Sequence, residues 1–268
     1  MMKNKVLVAI RVFVALAVWF LIGRGYSVFV DPMLDGRLAE LVRKILSGMV
    51  VPYTVGLGVS FLILLGMEVE VPGENSQVVS VTTGRLIKAF LVQTGLSMPV
   101  IMILNIVLNI LGFPPHGMSP EDLFGKYFLF YVVLLLIFAP VMEEILFRKI
   151  LLDRLLLIGE KEAIIISAIL FGLPHAFSQG IPQMFGTFLI GLVWAYMRVK
   201  TGKLWPGIIL HIMFNLYGCY FATFMAMRPV TTVLFLFMGI ILLPTIAVII
   251  LITHMSVRKN KPYNLRII

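Results

Sequence analysis

Apolar residues fall along this chain in long blocks, separated by short polar breaks marked with Gly, Pro, Ser and Asp. About twenty apolar residues cross a bilayer as a helix. On that measure the pattern predicts eight spans: Val6–Ile22, Val50–Met67, Leu86–Leu111, Tyr127–Leu157, Glu162–Phe177, Pro182–Val199, Pro206–Met227 and Pro229–Met255. Between the first two, Asp31–Met49 sets leucines at helical spacing among charges, the pattern of a helix lying along an interface. The stretch EVEVPGENSQVVSVTTGR reads as a polar, acidic, turn-rich loop. In FPPHGMSPEDLFGK, Ser119 followed by Glu121 and Asp122 predicts a short capped helix. His116 in the same connection reads as a surface histidine, and His254 as an interfacial one. The expected fold is all-α, a polytopic membrane helical bundle with about eight transmembrane helices. Residues 1–125 form an N-terminal set of three spans plus the amphipathic segment. Residues 126–256 form the core that carries the chemistry, and 257–268 form a basic cytoplasmic tail.

Composition strengthens this reading. The 268 residues are 60% hydrophobic and only 13% charged, with mean hydropathy +1.03. Soluble domains run near 45–50% apolar and about 25% charged, so no soluble domain of useful size fits between the blocks. The net charge of +9 belongs with anionic headgroups and the excess of cytoplasmic Lys and Arg, not with nucleic acid. With eight spans and an inside N-terminus, sixteen basic residues fall on the cytoplasmic side and six outside. That split predicts a multi-pass protein of the cell membrane with both termini cytoplasmic. The basic start of the first block lacks a small-residue cleavage site, which reads as a retained helix and not a removed signal. One cysteine, Cys219, excludes a disulfide framework or a cysteine metal site.

Six polar side chains change the picture. Glu143 and Glu144 interrupt an apolar span, although each ionisable side chain there costs about 2.5–3.5 kcal/mol even on insertion scales. Arg148 lies four residues after Glu144, on the same helical face, so those two pair. Glu143 is rotated by about 100° and left free, as a general base must be. In FGLPHAF, Phe171 and His175 share a face, with Pro174 loosening the helix beside the imidazole. In LHIMFN, His211 and Asn215 share a face, two donors suited to an oxyanion. Gln93, Thr94 and Ser97 read as helix contacts, Gly186 and Gly191 as close-approach residues, Trp194, Tyr196 and Trp205 as an interfacial belt, and Asp153 and Arg154 as an exposed helix end.

Glu-Glu-x-x-x-Arg, Phe-x-x-x-His and His-x-x-x-Asn, in that order on membrane helices, resemble the type II CAAX prenyl endopeptidase and bacteriocin-processing (CAAX protease/Abi) family. The resemblance covers about Phe128–Tyr220. It implies an eight-helix bundle with a conical cavity open to the cytosol and inner leaflet. It also implies a glutamate-dependent intramembrane protease in which Glu143 and His175 activate water and His211 and Asn215 hold the oxyanion. Glu144, Arg148 and Phe171 support the site. Zinc held by Glu143, His175 and His211 is the alternative chemistry, but no His-Glu-x-x-His helix is present, and the reading taken is metal-free, with no cofactor.

The sequence thus predicts an endopeptidase cutting a peptide bond near the cytoplasmic membrane face. Its partner is the lipid bilayer and its substrate a membrane-associated peptide or lipidated protein: a prenylated protein, a leader peptide or a small membrane protein. The rivals are a non-catalytic membrane regulator or bacteriocin self-immunity protein, and a proton-coupled transporter. The transporter is weakened because the second half of the chain does not repeat the first.

Overall fold

The computed structural model describes residues 2–72, 78–113 and 118–259; His116 and the tail from residue 260 lie outside them. Among the described residues every regular element is a helix. Seven are long and apolar enough to cross a membrane: α1 (Lys5–Leu34), α2 (Glu40–Ile63), α3 (Thr83–Ile110), α5 (Phe128–Ile158), α6 (Glu160–Ser178), α8 (Trp205–Ala226) and α9 (Pro229–Ser256). The short α4 is Pro120–Phe124. Its start carries the expected cap: the Ser119 hydroxyl accepts from the Asp122 amide, and the Asp122 carboxylate accepts from the Ser119 amide.

The expected eighth span is α7 (Ile181–Thr201). It is as long as its neighbours but less apolar, and its position explains why. Thr187, Ile190, Gly191, Trp194, Ala195 and Arg198 form a buried stripe at helical spacing. The helix packs between α6 and α3, so it offers lipid little surface and tolerates polar side chains. A bundle of about eight membrane helices is compatible with this arrangement.

Small residues set the closest approaches. A Cβ on Gly191 would lie 3.1 Å from Cα of Ala168 on α6, so the two backbones are as near as glycine allows. Gly191→Leu forces α6 and α7 apart. The expected cost is about 1–3 kcal/mol of overpacking, read as a lowered melting temperature of the purified protein in detergent.

Two boundaries differ from the sequence expectation. The stretch Asp31–Met49 is not one interfacial helix. Asp31–Leu34 closes α1, and Glu40 opens a continuous helix to Ile63. Arg43 neutralises the charges at this corner by binding Asp31 and Asp35. Tyr127 at the start of α5 donates to Glu40 at 2.7 Å. Asp153 and Arg154 are buried, not an exposed end. Arg198 on α7 grips Asp153 with two N–H donors, Nη2 at 2.6 Å and Nε at 3.2 Å.

Cross-links gather several helix ends at one end of the bundle. Lys5 donates to the Ile158 carbonyl, and Arg11 donates to the carbonyls of Ile63 and Leu65, filling acceptors left open at the end of α2. Lys200 pairs with Glu160 at 2.5 Å. The Glu70 and Val79 amides, in the connection after α2, donate to the Asp153 and Lys200 carbonyls.

Candidate active site

Helix α5 runs unbroken from Phe128 to Ile158, with Glu143 fifteen residues from either end (143 − 128 and 158 − 143). The carboxylates therefore lie midway along this 31-residue helix. Around the glutamates the helix is α-helical over Ala139–Glu144, between π-helical turns at Leu134–Phe138 and Ile145–Leu152. Such wide turns are common at functional sites. The first frees a backbone acceptor: Asn215 Nδ2 donates to the Leu135 carbonyl at 2.8 Å.

The two glutamates have different surroundings. Glu144 is sealed, its side chain 1% exposed, and its Oε2 lies 3.6 Å from Arg148 Nε. A Cβ on Gly207 of α8 would come within 2.5 Å of that same oxygen, so glycine there is what lets α8 close over Glu144. Glu143 keeps 18% of its side chain exposed and makes no ion pair with Arg148 within 4.0 Å. Glu144 thus lies against a cation, while Glu143 has a buried carboxylate oxygen 3.9 Å from His211 and, among the described residues, no arginine or lysine within 4.0 Å.

Arg148 is fully buried, and its guanidinium has no hydrogen-bond partner. Aromatic faces hold it instead. Its guanidinium carbon is 4.6 Å from the Phe171 ring centre, 5.7 Å from Trp194 and 6.0 Å from Phe147, distances at which a ring quadrupole attracts a cation. Phe171 is therefore more than a neighbour of His175, 5.1 Å away; it floors the cation that balances Glu144.

The histidines are placed unequally. His175 Nδ1 lies 2.9 Å from the Phe171 carbonyl. A carbonyl only accepts, so Nδ1 carries the proton and Nε2 is left as an acceptor when the ring is neutral. Pro174 does not break α6, which continues to Ser178. His211 is 6% exposed and lies between the carboxylates, Nε2 3.9 Å from Glu143 and Nδ1 4.0 Å from Glu144. It faces the glutamates more directly than its spacing to Asn215 conveys.

Among the described residues no three His, Cys, Asp or Glu side chains converge as a metal site requires, and Glu143, His175 and His211 are no exception. A cavity of about 530 Å³ lies farther along α8, lined by residues including Phe90, Phe124, Tyr217 and Tyr220, and is almost wholly apolar.

Sequence reasoning missed two residues at this site. Trp194 is no interfacial anchor; it is 1% exposed and stacks on His211 at 4.3 Å with 27° between the rings. Gln93, read only as a helix contact, is the acceptor for Trp194 Nε1 at 2.6 Å. Neither was legible locally, because a tryptophan four residues before an arginine near a span end has the spacing of a belt residue. Tyr196 and Trp205, by contrast, are exposed.

Residues 125–217 match the family model for type II CAAX prenyl endopeptidase Rce1-like proteins. A Bacillus subtilis (strain 168) protein named "Putative membrane peptidase YdiL" is 32% identical over 98 residues, covering 35% of this chain and 36% of that relative. The chain thus aligns with little more than a third of the relative's length. No solved structure matches it significantly. The matched segment contains Glu143, Glu144, Arg148, Phe171, His175, His211 and Asn215, every side chain singled out above from the three motifs, and in that segment the chain is similar to the type II CAAX prenyl endopeptidase, Rce1-like family.

Proposed function

We propose that this protein is an intramembrane endopeptidase that hydrolyses a peptide bond of a membrane-associated substrate near the cytoplasmic face. The observation that carries the reading is the division of the adjacent carboxylates: Glu144 sealed against Arg148, Glu143 partly exposed and unpaired. A structural staple needs only one glutamate.

In this mechanism Glu143 takes a proton from water as general base, while His175 Nε2 accepts the second water hydrogen and orients the lone pair. The hydroxide adds to the peptide carbonyl. His211 and the amide hydrogen of Asn215 not given to Leu135 stabilise the oxyanion of the tetrahedral intermediate. Collapse breaks the C–N bond, and the proton held by Glu143 passes to the leaving amine. Glu144, Arg148 and Phe171 hold the helix that presents Glu143. No step is routed through a metal, and dialysis against EDTA is expected to leave the cleavage rate unchanged; loss of the rate, restored by zinc, would replace this mechanism with a metal-assisted one.

The substrate classes that fit are a prenylated protein, a leader peptide or a small membrane protein. With the basic residues dividing sixteen to six, both termini are assigned to the cytoplasm. The test is cleavage of fluorogenic membrane peptides in liposomes by wild type, Glu143→Gln and His175→Ala. Loss in both variants is expected, and wild-type rates in both would refute the proposal.

A further inference from the structure

We propose that Gln93 and Trp194 are positioning residues that fix the imidazole of His211 between the two carboxylates. The proposal rests on the reading of His211 as part of a hydrolytic site. It brings α3, which lies outside the segment matched by the family, into the working of that site.

The argument begins with what does not hold the ring. His211 Nδ1 is buried without a hydrogen-bond partner, as are Glu143 Oε2 and both oxygens of Glu144. At 3.9 and 4.0 Å the two His–Glu approaches are too long for hydrogen bonds. No polar contact sets the plane of the imidazole. Ring contacts do: Trp194 stacks on one face, and Phe171 meets the imidazole edge-on, with centroids 6.1 Å apart and planes at 83°. The stack on Trp194 sets the plane of the imidazole and the edge contact with Phe171 limits its rotation within that plane, so a shift of Trp194 moves the histidine nitrogens.

Trp194 is anchored in turn. Its Nε1–H donates to Gln93 Oε1 at 2.6 Å, and Gln93 Nε2 donates to the Leu210 carbonyl at 3.1 Å. Leu210 immediately precedes His211, so the chain of contacts closes on itself. The backbone that carries His211 holds Gln93, Gln93 holds Trp194, and Trp194 holds the His211 ring. Gln93 is fully buried, and its two bonds each use a different end of the amide. Neither a hydrocarbon nor a carboxylate supplies that donor and acceptor together. A glutamine serving only to join helices has no need to meet both the tryptophan under a histidine and the carbonyl next to that histidine.

The test uses the full-length protein with Gln93→Met, Trp194→Phe and the double variant. Replacing a group that orients a metal-ligating histidine costs about 10–100-fold in activity, and by that measure kcat is expected to fall about 10–100-fold in each single variant while KM holds. Because both act through one chain of contacts, the double variant is expected to lose no more than the worse single one. NMR of protein labelled at histidine supplies a readout independent of catalysis: Trp194 should hold the His211 carbon-bound protons upfield by its ring current, and Gln93→Met should move them. A purely structural role would lower the melting temperature while leaving the kcat of folded protein and the His211 resonances as in wild type, and that result overturns the proposal. So do losses that add in the double variant. Should Glu143→Gln retain wild-type hydrolysis, the hydrolytic reading fails, whereas the His211 resonances still decide whether Gln93 and Trp194 position the ring.

Discussion

Arg148→Leu is expected to be among the most destabilising single substitutions in this protein, at about 3–5 kcal/mol. The side chain is fully buried, and the pair it makes with Glu144 is sealed from solvent. Removing the cation leaves a buried carboxylate without its compensating charge, which is the costly way to break such a pair. The loss extends to packing, since the guanidinium also fills the space between Phe147, Phe171 and Trp194. The paired variant Glu144→Gln with Arg148→Met distinguishes the causes. It removes both charges and keeps the volume, and an apolar replacement of a buried ion pair is often neutral. Much of the lost stability should return. Thermal unfolding in detergent measures both; equal melting temperatures for Arg148→Leu and the paired variant would mean that packing, not uncompensated charge, dominates.

Glu143→Gln is expected to produce the largest functional loss. A positioned general base contributes about 10²–10⁴-fold to a rate, and Glu144 cannot take its place, because it is closed over by Gly207 and engaged by Arg148. The amide has nearly the shape of the acid but cannot take the proton. Binding of substrate should persist, so the loss belongs in kcat. Single-turnover cleavage in liposomes, with substrate binding followed separately, measures this. A variant whose KM rises while kcat holds would identify Glu143 as a binding group.

The parts of this molecule legible in its sequence are those encoded by local spacing. Apolar block length gave the helices, because a bilayer demands that each span satisfy its own backbone. The glutamate pair, Arg148, Phe171, His175, His211 and Asn215 stood out as polar or aromatic groups at four-residue intervals inside apolar runs. What stayed hidden depends on contacts between distant residues. Asp153 and Arg198 are 45 positions apart, so nothing near Asp153 marks it as paired and buried. Helix α7 is central, and its polar content made it the least membrane-like of the expected spans. The second span begins at Glu40 because ion pairs and the Tyr127 hydroxyl absorb charges that read as interfacial. Trp194 and Gln93 acquire their meaning only when α3, α7 and α8 meet around His211.

The central claim is that two adjacent glutamates do different work. It is tested most directly by measuring cleavage rate and melting temperature on the same preparations of Glu143→Gln and Glu144→Gln. The account predicts that Glu143→Gln melts like wild type and does not cleave, while Glu144→Gln melts at a clearly lower temperature because Arg148 loses its partner. Two variants that behave alike in both measurements, or a Glu143→Gln that cleaves at the wild-type rate, would contradict it.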